Sequence, residues 1–201
     1  MIKDQIAANR YTYLGGGIYY FPLGIIHKGK TFPSGYYKDP TAVVDNEKEV
    51  EMLDDQCSGY KRMLALQRDK KKEFAAFLTK DGKTIILPMG EKSTQTTAKF
   101  RFPIKDAQKR NIVGLVSENG KQYVELYDWK GTYPSATSYE ISAFVHTHPI
   151  GPGLDSDNAS GDDLKNAATL PGIKFFIIND NKIVEYSATN KAISTNTNNC
   201  K

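Results

Sequence analysis

Apolar positions from Val50 onward recur at spacings of three and four, at Leu53, Cys57, Tyr60 and Leu64. That period places them on one face and predicts a helix over residues 46–68. Asp45 or Asn46 caps its start in this reading, and Glu47, Glu49 and Glu51 suit the positive end of its dipole. The pattern then changes to that of strands. Residues 74–79 and 84–88 flank Lys80-Asp81-Gly82-Lys83, and residues 112–117 and 122–129 flank Glu118-Asn119-Gly120-Lys121. Asp-Gly and Asn-Gly between apolar runs predict two hairpins. Residues 90–98 and 130–138 read as loops, and residues 99–102 as a strand. An apolar strand over 139–145 runs into His146-Thr147-His148-Pro149. A Gly/Pro/Asp loop over 150–159, a short helix over 160–170 and a third hairpin, 173–178 with 183–186, follow.

Residues 1–45 are rich in Tyr, Gly and Pro and read as an N-terminal extension with short strands, such as 17–21. Residues 46–187 form the expected main domain, and residues 188–201 a polar tail, mobile or a weak edge strand. The density of hairpins predicts an α/β fold with a mixed, largely antiparallel central sheet flanked by helices, not a doubly wound parallel one.

The composition fits this picture: 201 residues, 39% hydrophobic and 25% charged, suffice to bury a core. The net charge of +4 is too small and too dispersed to predict nucleic acid as a partner. No apolar run approaches the roughly 20 residues that span a bilayer, so no membrane partner is expected. Residues 1–26 lack the continuous apolar stretch of a signal peptide. The two cysteines, Cys57 and Cys200, suggest no disulfide framework, and Cys57 reads as a buried core thiol on the helical stripe. The expected compartment is cytoplasmic, with leaderless secretion compatible. No feature assigns an oligomeric state. Gly15-Gly16-Gly17 lacks the Lys and the following helix of a phosphate loop.

The histidines change the picture. There are three, and two of them, His146 and His148, stand two apart at the end of a strand. Side chains at i and i+2 share a face, so the two imidazoles sit side by side, ~6.6 Å apart along the backbone. Pro149 then turns the chain away. Ser160 is a good helix N-cap, and Asp163 stands three residues on, as the acidic partner of a capping box. A carboxylate in that first turn also lies next to the strand end that bears the histidines. Two neutral imidazoles and one carboxylate make a three-ligand zinc site with a fourth position left for water. A separate carboxylate is then needed to move the proton.

His146-Thr147-His148-Pro149 followed by Ser160-Gly161-Asp162-Asp163 resembles the zinc motif of the JAMM (MPN+/JAB1) metalloproteases. The order of elements over 46–187 is similar to that family's plan, and the chain looks closest to the bacterial JAB-like domains of uncharacterised or toxin-associated proteins, the DUF4329 type. The resemblance implies a zinc-dependent hydrolase acting on a peptide or isopeptide bond, with a peptide or protein substrate, ubiquitin-like modifiers included. It implies His146, His148 and Asp163 as zinc ligands and Ser160 as a donor to the tetrahedral oxyanion. It implies Glu73, where the first helix enters the first hairpin before Ala75-Ala76, as the base that deprotonates water and returns the proton to the leaving nitrogen. One departure stands out. The family usually has seven residues between the second His and the Ser, and here there are eleven, 149–159. The loop is thus four residues longer, with the Ser160–Asp163 pair intact after it.

Other residues compete. Glu125 is the alternative base, while Glu140 shares parity with the histidines but lies ~20 Å away along its strand. Asp155, Asp157 and Asp162 compete with Asp163 as ligand, and His27 reads as a loop residue. A non-catalytic scaffold or toxin-associated domain is the second functional reading. A zinc deaminase needs a Pro-Cys-x-x-Cys motif, and a serine hydrolase a Gly-x-Ser-x-Gly elbow; neither is present.

Overall fold

The computed structural model describes residues 48–89, 102–130, 133–148 and 158–200, together with five short N-terminal strands. Those strands are β1 (Thr12–Gly15), β2 (Ile18–Phe21), β3 (Ile25–His27), β4 (Lys30–Phe32) and β5 (Gly35–Lys38). β1, β2 and β5 form an antiparallel sheet, and β3 pairs with β4. The expected loop over 90–98 and most of the expected strand over 99–102 lie outside the described residues.

Among the described residues, the main body is a ten-stranded mixed, mostly antiparallel sheet with two helices. Its elements are β6 (Glu51–Leu53), helix α1 (Gln56–Lys70), β7 (Ala75–Thr79), β8 (Thr84–Ile86), β9 (Ile104–Lys105), β10 (Asn111–Glu118), β11 (Lys121–Lys130), β12 (Tyr133–Thr147), helix α2 (Gly161–Thr169), β13 (Lys174–Ile178), β14 (Lys182–Tyr186) and β15 (Ser194–Thr197). β15, β14, β13, β12, β11, β10 and β9 lie in that order, and β7 joins β12 and β8, which pairs with β6. The Asn-Gly hairpin forms as expected, with Asn119 and Gly120 both at positive φ, the demand of a tight primed turn.

The sheet is covered on both faces, which explains why all five residues of β7 are buried. One face, with Ala76, Leu78, Val145 and Ile178, packs under Tyr60, Met63 and Leu64 of α1. The other carries Ala75, Phe77, Phe175, Ile177, Val184 and Tyr186, with Ala167 of α2 over its far end. α1 sits close enough that a Cβ on Gly59 would lie 2.4–2.5 Å from the Thr84 side chain. Gly59→Ala is therefore expected to lower stability by about 1–3 kcal/mol despite alanine's better helix propensity. Chemical denaturation checks this, and an unchanged or raised midpoint contradicts it.

Several expectations need correction. The first helix begins at Gln56, not near residue 46, because Asp55 caps it, accepting from the Ser58 N–H at 2.8 Å and the Ser58 hydroxyl at 2.6 Å. No acidic residue occupies its first turn. Residues 51–53 are instead a strand on β8, so the spacing from Val50 to Leu53 came from sheet packing. Residues 133–138, expected as loop, extend β12 as an exposed ribbon on β11, with Lys130 opposite Tyr133. With both faces in water, no apolar alternation marks this segment.

Cys57 is exposed and lies off the buried stripe of α1. It is disulfide-bonded to Cys200, with 4.9 Å between the Cα atoms and 143 residues between the partners in sequence. The expectation of a core thiol and no disulfide was mistaken, because two remote cysteines give no spacing signal. The bridge ties down the tail, whose strand β15 forms the sheet edge on β14. Closing a loop this long stabilises by roughly 2–5 kcal/mol. Cys200→Ser is expected to lose that amount in denaturant unfolding, and identical midpoints with and without reductant would contradict it.

Candidate metal centre

The parallel pairing of the main sheet, the one found among the described residues, builds the centre. β12 and β13 lie side by side in parallel, His146 opposite Ile177, and α2 is the crossover between them. A crossover helix runs back over the sheet, so its N-terminus starts above the C-terminal end of the first strand. That is where β12 carries its histidines, and the helix's first turn is thereby brought onto them.

A bulge sets the face. On β12 the register against β7 shifts between Ile141 and Ala143, where the Ser142 hydroxyl donates to Leu78 O at 3.0 Å. Ile141 and His146, an odd number of residues apart, thus face the same side, opposite Thr79 and Ala75 of β7. Without the extra residue both imidazoles would turn toward α1. The bulge also removes the parity expected for Glu140, which ion-pairs with Lys121 at 2.9 Å.

His146 is 3% exposed, and His148 is also buried. Their rings are 4.8 Å apart. His146 Nε2 lies 3.3 Å from Asp163 Oδ1, and His148 Nε2 lies 3.5 Å from Asp163 Oδ2. One ligand atom from each of the three residues lies within 4.8 Å of the others, a group that could hold a metal ion. Two atoms bound tetrahedrally at zinc-like distances of 2.0–2.2 Å are about 3.3–3.6 Å apart, the separation each imidazole keeps from the carboxylate. Neither nitrogen of His146 has a hydrogen-bond partner among the described residues. A buried imidazole with both nitrogens unmet is costly unless it serves a ligand. The donor atoms are near one another without being aligned on one another, as expected where they converge on a common ion.

The capping box holds the carboxylate in place. Ser160 Oγ accepts from the Asp163 N–H at 3.2 Å, and Asp163 Oδ2 accepts from the Ser160 N–H at 2.7 Å. One rotamer of Asp163 both closes the capping box and stands beside the two imidazoles. Burial alone raises the Asp163 carboxyl, but His146, His148 and the Ser160 hydrogen bonding outweigh it and hold it far below the usual carboxylate range. Burial pushes His146 down, against the opposing pull of the Asp163 carboxylate; a metal ligand must be the neutral imidazole.

Glu73 is 6% exposed and stands just before β7. The Phe74 N–H donates to Thr147 Oγ1 at 2.9 Å, and the Thr147 N–H donates to Phe74 O at 2.9 Å. His146 lies opposite Ala75 in this ladder, so the register continued by two residues along β7 sets Glu73 opposite His148, on the same face. Glu73 is not one of the three clustered ligands. Glu125, by contrast, pairs with Ser138 and accepts from the Tyr127 hydroxyl at 2.5 Å; it is about 25 Å along β12 from His146 and does not join the site. Asp162 points outward to Lys165 at 2.9 Å. Asp155 and Asp157 lie outside the described residues, as does the side chain of His27.

Sequence reasoning missed two residues. Thr147, fully buried between the histidines, locks the register of β12 against Phe74, the residue after Glu73. Tyr186 stands edge-on to His146, with ring centroids 5.8 Å apart at 90°. Thr147 was legible from strand alternation, which turns it to the opposite face; Tyr186 carried no signal beyond an apolar strand position.

Comparison with protein-family models, curated proteins and solved structures returned no match for this chain.

Proposed function

We propose that this protein is a zinc-dependent hydrolase that cleaves a peptide or isopeptide bond, of the JAMM type, with a JAB/MPN-like fold. The observation that carries the reading is His146, buried with both nitrogens unmet beside His148 and Asp163. Two imidazoles and a carboxylate favour zinc over the oxygen-rich sets that calcium and magnesium take. Zinc held there supplies an acidified water, with a pKa near 7, and a Lewis acid for the scissile carbonyl. The protein's own groups do the rest. Glu73, opposite His148, accepts the proton of the attacking water and passes it to the leaving nitrogen. Ser160 uses its Oγ as acceptor toward Asp163, keeping the hydroxyl proton to donate to the developing oxyanion.

The Cys57–Cys200 bridge supports a place of action in an oxidising compartment over the cytoplasmic expectation. No helix among the described residues is long and apolar enough to cross a membrane.

The test is hydrolysis by the full chain of an internally quenched peptide library and of isopeptide-linked diubiquitin. Cleavage is expected with zinc, lost with a chelator and regained on zinc addition. Zinc uptake without cleavage of any substrate would favour the scaffold reading.

A further inference from the structure

Among the described residues, four buried side-chain polar atoms lack a hydrogen-bond partner, and three of them belong to His146 and Tyr186. These two side chains touch, edge to face, at 5.8 Å between ring centroids. A cluster of unmet groups at one place is the signature of a shared polar partner, since buried phenols and imidazoles almost always find one. Tyr186 is 2% exposed, and its ring is held by Phe175 at 5.6 Å as well as by His146. Phenylalanine would fill the same space without the unmet hydroxyl.

We propose that the Tyr186 hydroxyl is a working donor of this centre: it hydrogen-bonds the oxygen, of water or of a substrate carbonyl, that occupies the position left open by His146, His148 and Asp163. The inference rests on the metal reading above. Its direction follows from the surroundings. The hydroxyl is buried with no partner among the described residues, beside an imidazole whose two nitrogens also lack one. A phenol O–H donates as well as accepts, so it suits an oxygen that gains negative charge. Ser160 caps α2 and Tyr186 ends β14, so on this proposal the oxygen has donors from two different elements.

The test uses the full chain loaded with Co2+, as wild type, Tyr186→Phe and Tyr60→Phe. Tyr60 is a control: it is a fully buried residue of α1, and its oxygen already accepts from Gln56 at 2.7 Å. The readouts are Co2+ affinity, affinity for acetohydroxamate from the visible spectrum, and thermal unfolding without metal. Tyr186→Phe is expected to load Co2+ within about two-fold of wild type and to unfold no earlier. It is expected to bind acetohydroxamate about ten-fold more weakly, the scale of one hydrogen bond to a charged oxygen. Tyr60→Phe is expected to leave the acetohydroxamate affinity unchanged. Equal acetohydroxamate affinity in Tyr186→Phe and wild type overturns the proposal. So does earlier unfolding or failed Co2+ uptake of Tyr186→Phe, since either makes the hydroxyl a structural group. Wild type that takes up no Co2+ sinks the metal reading itself and this inference with it. Wild type that loads Co2+ but cleaves nothing sinks only the hydrolase reading and leaves the Tyr186 comparison decisive.

Discussion

Glu73→Gln is expected to lower zinc-dependent turnover by about 10²–10⁴-fold, the range of a lost general base, while the protein still binds one zinc per chain. The substitution keeps shape while removing the negative charge and the ability to take a proton. The backbone beside it is held by the mutual Phe74 and Thr147 hydrogen bonds, which do not involve the Glu73 side chain. Stability is thus expected to change little, and activity to fall almost completely. Parallel steady-state kinetics and metal analysis read the two effects separately. Loss of zinc along with activity would make Glu73 a ligand. Unchanged turnover would place the base elsewhere.

Asp163→Asn is expected to weaken zinc binding by at least about 100-fold. The amide oxygen can still accept from the Ser160 N–H, so the capping box and α2 survive. What disappears is the one anionic ligand atom, which stands beside both imidazoles. The effect shows most clearly in thermal unfolding. A ligand at 1,000 times its Kd stabilises by about 4 kcal/mol, and for a chain this size each kcal/mol shifts Tm by roughly 2–4 °C. Zinc is therefore expected to raise the wild-type Tm by about 10 °C and the variant's hardly at all. Equal zinc-induced shifts in both would remove Asp163 from the ligand set.

Much of this centre was legible because its logic is local. A two-residue step on a strand puts two imidazoles on one face, and Ser160 with Asp163 is a cap whose carboxylate has only one place to go. The Asn-Gly hairpin and α2 were readable for the same reason: turn chemistry and capping act over four residues. The failures were long-range. The spacing of Val50 and Leu53 fits a helix as well as a strand, and only β8, more than 30 residues on, decides between them. The bulge at Ser142 that aims the histidines depends on the carbonyls of Leu78 and Thr79. The Cys57–Cys200 pairing and the approach of Tyr186 to His146 are products of the assembled sheet, with no trace in nearby sequence.

Zinc K-edge X-ray absorption on the zinc-loaded full chain examines the centre most directly. The spectrum is expected to show a shell of nitrogen and oxygen only, at about 2.0–2.1 Å, with the outer-shell scattering of two imidazoles. Sulfur in the first shell, or an oxygen shell without imidazole scattering, would mean that His146, His148 and Asp163 are not where this protein holds its metal.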